Sequence, residues 1–287
     1  MRNGIGAALL AAAFILQAGS PLHAQAGRAD LRYVAPLPET VIFTSVDSTR
    51  TKLSNALMGE LVSTGAVQAT SELRFAPAAD GVTVTAILKR MRGETSSPMG
   101  TMPLDSEERP PFDVTIGPKG PDPETIAGTV FQVSQPGADP LDAMGSALAV
   151  SGLIIVPGRE LRLGEEWTDT IRYSPKFEGL EGFAMEMTMV YRGTYAADTV
   201  VDGRTLNVLR IVGEGTATGN GTMQGLEVSQ NLKLSTQETV LWDSGRHIPV
   251  SRVATSETVI ESSAPQAGVS MNAEVSSRSV TRAEPSR

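Results

Sequence analysis

Apolar and polar residues alternate along the stretch FAMEMTMVY, residues 183 to 191. The odd positions hold Phe183, Met185, Met187, Met189 and Tyr191, while the even positions include a glutamate and a threonine. Successive side chains of a strand point to opposite faces, whereas a helix would spread these five side chains around its circumference. The pattern therefore predicts a strand with one apolar face, called here the methionine stripe.

Two further strands are predicted by the dipeptides that precede them. Residues 82–88 follow Asp80-Gly81, and residues 206–212 follow Asp202-Gly203. Such dipeptides are typical of hairpin turns because glycine accepts a positive φ without strain. Alternation predicts more strands at 30–35, 40–47, 58–75, 112–116, 167–173, 226–241, 247–261 and 268–281.

Residues 124–150 interrupt this pattern. In DPLDAMGSALAVSG, Asp139 can cap a helix, Pro140 suits its first turn, and Gly152 suits the residues after its end. One or two short helices are therefore expected between two series of strands. The predicted fold class is mainly β, with antiparallel sheets in two similar halves and these short helices between them.

A weak internal repeat supports the two halves. Leu31-Arg32-Tyr33 recurs as Ile171-Arg172-Tyr173, and each half contains an Asp-Gly hairpin. The matching segments are unevenly spaced, so chance similarity between β-rich segments is the alternative. The predicted organisation is a signal peptide (1–26), an N-terminal β half (27–120), a connecting segment (121–156), a C-terminal β half (157–282) and a flexible tail (283–287). Residues from 276 onward lack apolar periodicity and are expected to fray.

The first residues indicate export. Arg2 precedes an apolar run from Ala7 to Leu16, and Ala24 and Ala26 are small residues at the positions read by a signal peptidase. A spanning helix needs about twenty apolar residues, and this run ends earlier, so no membrane anchor is expected after cleavage. The expected location is the periplasm or the extracellular medium.

The composition and net charge limit the classes of molecule that the protein is expected to bind. The formal net charge is −8, and loss of the segment that carries Arg2 makes it more negative. Such a chain is a poor ligand for nucleic acid or for an anionic membrane surface. The chain has no cysteine, which excludes disulfides. The expected partners are a hydrophobic small molecule or another envelope protein.

Four glycines occur in GEGTATGNGT, residues 213 to 222. They lie at Gly213, Gly215, Gly219 and Gly221, a spacing that does not fit the G-x-G-x-x-G of a dinucleotide site. Because they share one parity, a strand would show them all on one face. That bare face is expected to contact a neighbouring element closely, with a ligand-facing wall and phosphate binding as the alternatives.

The methionine stripe has three interpretations. Methionine fills irregular cores, lines adaptable apolar binding surfaces, and offers soft sulfur ligands to Cu(I). The only histidine after the signal peptide, His247, is far away in sequence, so no zinc site is expected. The ligand-binding hypothesis comprises the stripe, residues 183 to 191, together with the four glycines, and expects no metal and no cofactor.

Motifs that could carry catalysis are few in this sequence. Asp243-Ser244-Gly245 resembles the local motif of aspartic peptidases, but the chain has no second such motif to complete a dyad. A hairpin turn is the simpler interpretation. The acidic run Asp105 to Glu108 lies in a proline-rich stretch that is expected to form an exposed loop. No catalytic residue is assigned, and the chain is expected not to be an enzyme.

One element resembles a known family. Pro157 is followed by Leu163-Gly164-Glu165-Glu166-Trp167-Thr168, and this pattern is similar to the "P…vGdsW" element of exported bacterial β-rich proteins in a domain-of-unknown-function family. The residues from Phe112 to Gly120 are similar to a strand and turn of that family. The resemblance implies an exported β protein and carries no activity. In structural terms, Gly164 permits a tight turn, and Trp167 is expected to bury its ring at the start of a strand.

The sequence is compatible with three functions. The first is an exported β protein that binds an apolar or amphipathic ligand between curved sheets. The second is a fully packed structural or protein-interaction protein of the cell envelope. The third is a hydrolase that uses Asp243.

Overall fold

The computed structural model describes residues 27–35, 37–55, 59–78, 81–122, 140–174, 183–223 and 226–284. The predicted signal peptide, Asp80 of the first predicted turn, Asp139 of the predicted helix cap and the last three residues of the predicted tail lie outside the described residues. Among the described residues, no helix is long and apolar enough to cross a membrane.

The described chain is mainly antiparallel β-structure. Its strands are β1 (Arg28–Leu31), β2 (Thr40–Asn55), β3 (Gly59–Ala78), β4 (Gly81–Ser97), β5 (Gly100–Ser106), β6 (Phe112–Gly117), β7 (Gly120–Pro121), β8 (Arg159–Arg162), β9 (Glu166–Tyr173), β10 (Ala184–Val201), β11 (Arg204–Met223), β12 (Leu226–Asp243), β13 (Ile248–Ala264) and β14 (Val269–Ala283). Helix α1 spans Pro140–Ala149, and a single 3-10 turn spans Pro265–Ala267.

Twelve of these strands form one curled antiparallel sheet. Its order is β7-β6-β4-β3-β2-β14-β13-β12-β11-β10-β9, with β5 also paired to β4. Strands β1 and β8 form a separate two-stranded ribbon. Strand β2 pairs with β14 along most of its length, so the start and the end of the chain meet in the middle of the sheet.

This topology confirms the mainly β, antiparallel class but does not clearly show the two similar halves that were predicted. The early strands and the late strands occupy neighbouring parts of one continuous sheet. Leu31 lies in the β1–β8 ribbon, whereas its predicted counterpart Ile171 lies on an edge strand of the large sheet. The similarity between those two segments therefore reflects their shared strand character and not a repeat of structure.

Three local expectations also change. Residues 100–106, expected in an exposed loop, form β5, where Leu104 and Ser106 are buried against the sheet. Residues 276–283, expected to fray, belong to β14 and pair with β2. Several strands are far longer than predicted, since β11 runs through the whole glycine-rich stretch. In β11 and β14, hydrogen bonding to neighbours on both sides keeps polar segments extended where their own sequence gives a weak signal.

Two turns follow the sequence closely. Asp202 and Gly203 have φ of 51° and 75° and join β10 to β11, which is the left-handed geometry that an Asp-Gly hairpin turn requires. Gly164 has φ of 81° just before β9. Trp167 is 6% exposed at the start of that strand, where its ring covers Gly193 of β10.

The main core fills one end of the concave face of the sheet. Trp242 is fully buried there, and its ring is perpendicular to that of Tyr33 in a T-shaped contact with centroids 5.1 Å apart. Its Nε1 donates a hydrogen bond to the Asp30 carbonyl oxygen at 2.8 Å. The ribbon strand β1 and the residues after α1, including Leu153 and Val156, complete this core. The other end of the concave face is not filled in the same way.

Candidate ligand cavity

A cavity of about 620 Å³ lies on the concave face beside the main core. One wall is the inner face of strands β9 to β14 and β2. The opposite wall is apolar and consists of the end of α1 and the residues that follow it, among them Leu148, Leu153 and Ile154. Small-molecule sites are clefts of about 300–1,000 Å³ with mostly apolar walls, and this cavity lies within that range.

The strand register arranges the sheet wall in rows. Tyr191, Gly213, Thr236, Ser256 and Ser277 are successive cross-strand partners on β10 to β14, so they form one row. Residues two positions away along each strand form the next row on the same face, about 6.8 Å further. The chemistry of the wall changes from row to row and from one side of the sheet to the other.

The apolar part of the wall comes from β9 to β12. Met187 and Met189 of the methionine stripe border the cavity there. They belong to a cluster with Met185 and Ala217, packed against partly buried neighbours. Those neighbours are Ile171, Tyr173, Phe183, Tyr191, Leu232 and Leu234. Burial raises the pKa of Tyr173 to about 12, and burial together with the nearby Glu238 carboxylate raises that of Tyr191 to about 12.

The side of the wall formed by β13 and β14 is lined instead by hydroxyl groups. Ser256 and Thr258 of β13 border the cavity, as do Ser277 and Ser279 of β14. Each side chain lies on the inward face of its strand. On β13 this is the face of the buried Ala254, and Ser279 of β14 is the cross-strand partner of Ala254. The cavity therefore has an apolar side and a hydroxyl-bearing side.

Three charged residues meet at the end of the cavity that adjoins the main core. Asp47 of β2 and Glu238 of β12 lie in one row, linked across the sheet by Ser279 and Ala254. Arg252 of β13 projects from the adjacent row, and all three charged residues border the cavity. We call Asp47, Glu238 and Arg252 the charged cluster.

Within this cluster, Arg252 forms a bidentate salt bridge with Glu238. Its Nε and Nη2 donate to the two carboxylate oxygens at 2.9 and 2.8 Å, and its Nη1 donates to the Ser151 carbonyl oxygen at 3.3 Å. The exposed fractions of the Arg252 and Glu238 side chains are 24% and 9%. Burial opposes the charge on Arg252, but attraction by Glu238, its hydrogen bonds and the nearby Asp47 outweigh it and raise the pKa of Arg252.

Two buried polar atoms of the same wall have no hydrogen-bond partner among the described residues. Asp47 Oδ2 and Thr236 Oγ1 are buried and make no hydrogen bond within the part of the chain that the structure describes. Both residues border the cavity. Buried polar atoms in folded proteins are nearly always hydrogen-bonded, so an unsatisfied pair beside an open volume is unusual.

The glycines of residues 213 to 222 sit beside the methionine stripe. Gly219, Gly215 and Gly213 are the cross-strand partners of Met185, Met189 and Tyr191. A Cβ at Gly213 would lie 2.6 Å from Thr236 Oγ1, and one at Gly215 would lie 2.9 Å from Met189 Cγ. These glycines make room for neighbouring side chains to lean across β11.

The predicted ligand residues therefore fall into two groups. Met187, Met189 and Tyr191 border the cavity. Phe183 and Met185 lie further along the strand, where the Phe183 ring covers Gly219. The four glycines of residues 213 to 222, with Gly221 among them, are not among the residues that border the cavity within the described chain.

Asp243 occupies a turn in the structure. Its Oδ1 accepts hydrogen bonds from the backbone N–H groups of Gly245 and Arg246 at 3.0 and 3.1 Å. This local pattern stabilises the turn between β12 and β13. Among the residues that the structure describes, no group of three or more histidine, aspartate or glutamate side chains is arranged to hold a metal ion.

Sequence reasoning missed the charged cluster. A signal was present for Glu238, because it shares the parity of Leu232, Leu234 and Val240 on a strand whose other inward positions carry no charge. An acidic side chain at an inward position lowers the stability of the fold unless a charged or hydrogen-bonding partner compensates for its burial. The partner of Glu238, Arg252, lies on the next strand of the same hairpin, whereas Asp47 comes from β2, far away in sequence, and could not be placed beside them.

Comparisons with known proteins do not assign a family. No protein-family profile matches the chain, and no curated protein sequence matches it. Among solved structures, an outer membrane channel from Pseudomonas putida F1 is similar at 12% identity and a TM-score of 0.36, covering 88% of this chain and 98% of that chain. Pseudomonas aeruginosa OpdQ is similar at 5% identity and a TM-score of 0.26, covering 86% of this chain and 100% of that chain. The CymD monoaromatic hydrocarbon channel is similar at 9% identity and a TM-score of 0.24, with coverages of 87% and 90%. Similarities at this level carry no functional argument.

Proposed function

We propose that this chain is an exported protein that binds one apolar or amphipathic small molecule in the cavity of the curled sheet. The observation that supports this proposal most directly is the cavity of about 620 Å³ bordered by Met187, Met189 and Tyr191. The ligand lies on the concave face of a single sheet, and not between two sheets as the sequence analysis expected.

The chemistry of the two faces supports the same proposal. Positions on the convex face of β10 to β13 are mostly polar or charged, as with Arg192 and Glu214, whose side chains are 62% and 63% exposed. The apolar residues are concentrated on the concave face, and some of them border open volume instead of protein. A residue set that is apolar only where it lines a cleft is typical of a ligand site.

In the alternative, a fully packed envelope protein, the methionine stripe is part of a core and not the wall of a binding site. This alternative requires the concave face to be filled, either by the chain itself or by a partner. The methionines also suit a core, since their flexible thioethers fill irregular space. Occupation of the cavity by a small molecule is therefore the property to test.

The first test is mass spectrometry of residues 27 to 287, purified after export. Native spectra should show an additional discrete mass that disappears under denaturing conditions, and extraction should release a hydrophobic compound. A bare mass in every preparation, with no uptake of the neutral apolar probe N-phenyl-1-naphthylamine, would contradict the proposal.

A matched pair of variants locates the site. Thr258→Phe places a ring at a position that borders the cavity, whereas Glu257→Phe places the same ring on the exposed convex face one residue away. Thr258→Phe should abolish probe uptake and ligand retention, and Glu257→Phe should leave both unchanged. Equal uptake by the two variants would place the ligand elsewhere.

A further inference from the structure

The start of the β1–β8 ribbon meets the rim of the large sheet at Gly27. The Leu163 N–H donates a hydrogen bond to the Gly27 carbonyl oxygen at 2.8 Å, which holds Gly27 beside the end of β8, just before β1 begins. A Cβ built on Gly27 would lie 2.9 Å from Tyr195 Oη and 3.0 Å from Asp198 Oδ2. A side chain at this position would have to displace these groups, so glycine permits the close approach.

The sheet holds the Asp198 carboxylate in place. Its Oδ1 accepts hydrogen bonds from Tyr195 Oη and, at 2.8 Å, from Asn207 Nδ2. Ser244 Oγ fixes Asn207 in turn by donating to its Oδ1 at 2.5 Å. Two donors therefore share Oδ1, and Oδ2 is the carboxylate oxygen nearest to Gly27. A carboxylate that is already ordered loses little side-chain entropy when it binds a cation.

The Gly27 nitrogen lies close to both oxygen atoms. Within one residue the backbone nitrogen is about 2.5 Å from Cβ, so the nitrogen is at most about 5.5 Å from Asp198 Oδ2. An opposite charge within about 4–6 Å stabilises the ionised form of a group. The Tyr195 hydroxyl has two lone pairs, and Asn207 Nδ2 uses one of them at 3.0 Å, which leaves the second to accept from another donor.

Other charged side chains of the ribbon and its flanks already form ion pairs with one another: Arg28–Glu160, Arg32–Asp30 and Arg159–Glu165. Arg162 of β8 is exposed. Asp198 is therefore the carboxylate placed to bind a cation at Gly27.

The predicted export signal supplies that cation. Ala24 and Ala26 are the small residues that a signal peptidase reads, so cleavage makes Gly27 the first residue of the exported chain. Hydrolysis of the bond between Ala26 and Gly27 consumes one water molecule. It leaves a carboxylate on Ala26 and an ammonium group on Gly27, where the unprocessed chain has an uncharged amide.

We propose that this new α-ammonium group binds Asp198 Oδ2 and the Tyr195 hydroxyl oxygen, and that removal of residues 1–26 thereby fastens the ribbon to β10. The inference rests on the export proposed above and not on ligand binding. Because Asp198 is exposed, solvent screens the pair and the expected effects are moderate.

The pKa of the Gly27 amine is the first test. The exported chain is labelled with ¹³C-glycine, its first residue is established by intact mass, and nuclear magnetic resonance follows the titration of Gly27. The amine should titrate about half a unit or more above its usual value of about 8. Asp198→Asn should return it to about 8, whereas the control Asp202→Asn, in the exposed turn after β10, should leave it raised. A value near 8 in the unmodified protein, or a raised value that survives Asp198→Asn, would overturn the inference.

A chain that begins at Ala26 is the second test, because it keeps Asp198 and Tyr195 and moves only the amine. Its amine should titrate near 8. Its Tm at pH 6.5 should be about 1–3 °C below that of the chain that begins at Gly27. With Asp198→Asn in both chains this difference should disappear. Equal Tm values for the two chains with Asp198 intact would contradict the contact.

The first residue of the exported protein separates the possible failures. A chain that begins at a residue other than Gly27 overturns this inference and leaves the ligand cavity unaffected. A chain that keeps residues 1–26 also removes the export part of the proposed function.

Discussion

The two ends of the concave face use similar strands for different purposes. At the packed end, Met91 and Leu209 are fully buried, and the polar side chain of Asn207 donates to Tyr195 and Asp198 and accepts from Ser244. At the cavity end, Leu232 and Leu234 are only partly buried, and two polar atoms of the wall have no partner within the described chain.

The difference shows what a filled core and a binding surface each require. At the packed end, apolar groups are covered by the chain, largely through the ribbon of β1 and β8 and the residues after α1. Most polar groups there are hydrogen-bonded, although the buried hydroxyls of Ser45 and Thr281 have no partner among the described residues. At the cavity end, within the described residues, the sheet and the wall formed by the end of α1 and the residues after it are separated by open volume.

The largest expected effect belongs to the packed end. Trp242→Ala should lower the free energy of unfolding by about 3–5 kcal/mol, since it removes a fully buried ring and leaves a cavity. It also leaves the Asp30 carbonyl oxygen without the indole donor. Urea unfolding followed by circular dichroism measures the change. A loss below about 1 kcal/mol, smaller than any usual core truncation, would show that the ribbon is not docked as described.

A matched pair of methionines compares the two ends directly. Met91 is 0% exposed in the main core, and Met187 is 5% exposed beside the cavity. Met91→Ala should cost about 2–5 kcal/mol, whereas Met187→Ala should cost about 1–2 kcal/mol because its side chain is incompletely surrounded. Met187→Ala should in addition weaken uptake of the apolar probe. Equal costs in urea unfolding, with uptake unchanged, would favour the fully packed alternative.

Two glycines provide a smaller contrast. A Cβ at Gly193 would overlap the rigid Trp167 ring, so Gly193→Ala should destabilise the protein by about 1–3 kcal/mol through overpacking. At Gly219 the nearest atom is Phe183 Cζ at 2.6 Å, on a side chain that can rotate away. Gly219→Ala should therefore cost less than about 1 kcal/mol. Thermal unfolding of both variants checks the order, and the reverse order would contradict the described contacts.

The raised pKa values of the tyrosines predict a loss of stability that occurs at alkaline pH and not at neutral pH. Burial is the first cause that raises the pKa of Tyr173 and Tyr191 to about 12, and it also raises the pKa of Tyr33 and Tyr195. The folded protein holds these protons more tightly than the unfolded chain, whose tyrosines ionise near pH 10. Stability is therefore fully present below pH 10 and falls as the pH rises towards 12.

Absorbance of tyrosinate near 295 nm provides the measurement. The folded protein should show little signal at pH 10, while the same protein in concentrated urea should be about half ionised there. Tyr173 and Tyr191, beside the cavity, should ionise before Tyr33, which is fully surrounded. Coincident titration curves for the folded and unfolded protein would indicate that these side chains are open to solvent.

The sequence by itself determined the local structure of this protein. Alternation in residues 183 to 191 identified a strand and its apolar face, and Asp202-Gly203 identified a hairpin, because both signals depend only on residues close together in the chain. The helix at Pro140–Ala149 was found in the same way. Strand β5 was missed because Pro103 and Asp105 argue against a strand in sequence, yet both are tolerated at the edge of a sheet, where one side forms no ladder.

Only the tertiary structure decided which strands became neighbours. The pairing of β2 with β14 joins segments from opposite ends of the chain and brings Asp47 into one row with Glu238. In the β10–β11 hairpin, a register shift between Tyr195 and Ala197 decides that Met185 and Met189 face Gly219 and Gly215, and the turn alone does not reveal this shift. Register is fixed by hydrogen bonds and packing across the whole sheet, and no short stretch of sequence encodes it. For that reason the sequence identified the apolar face, while the cavity and its charged cluster emerged only from the fold.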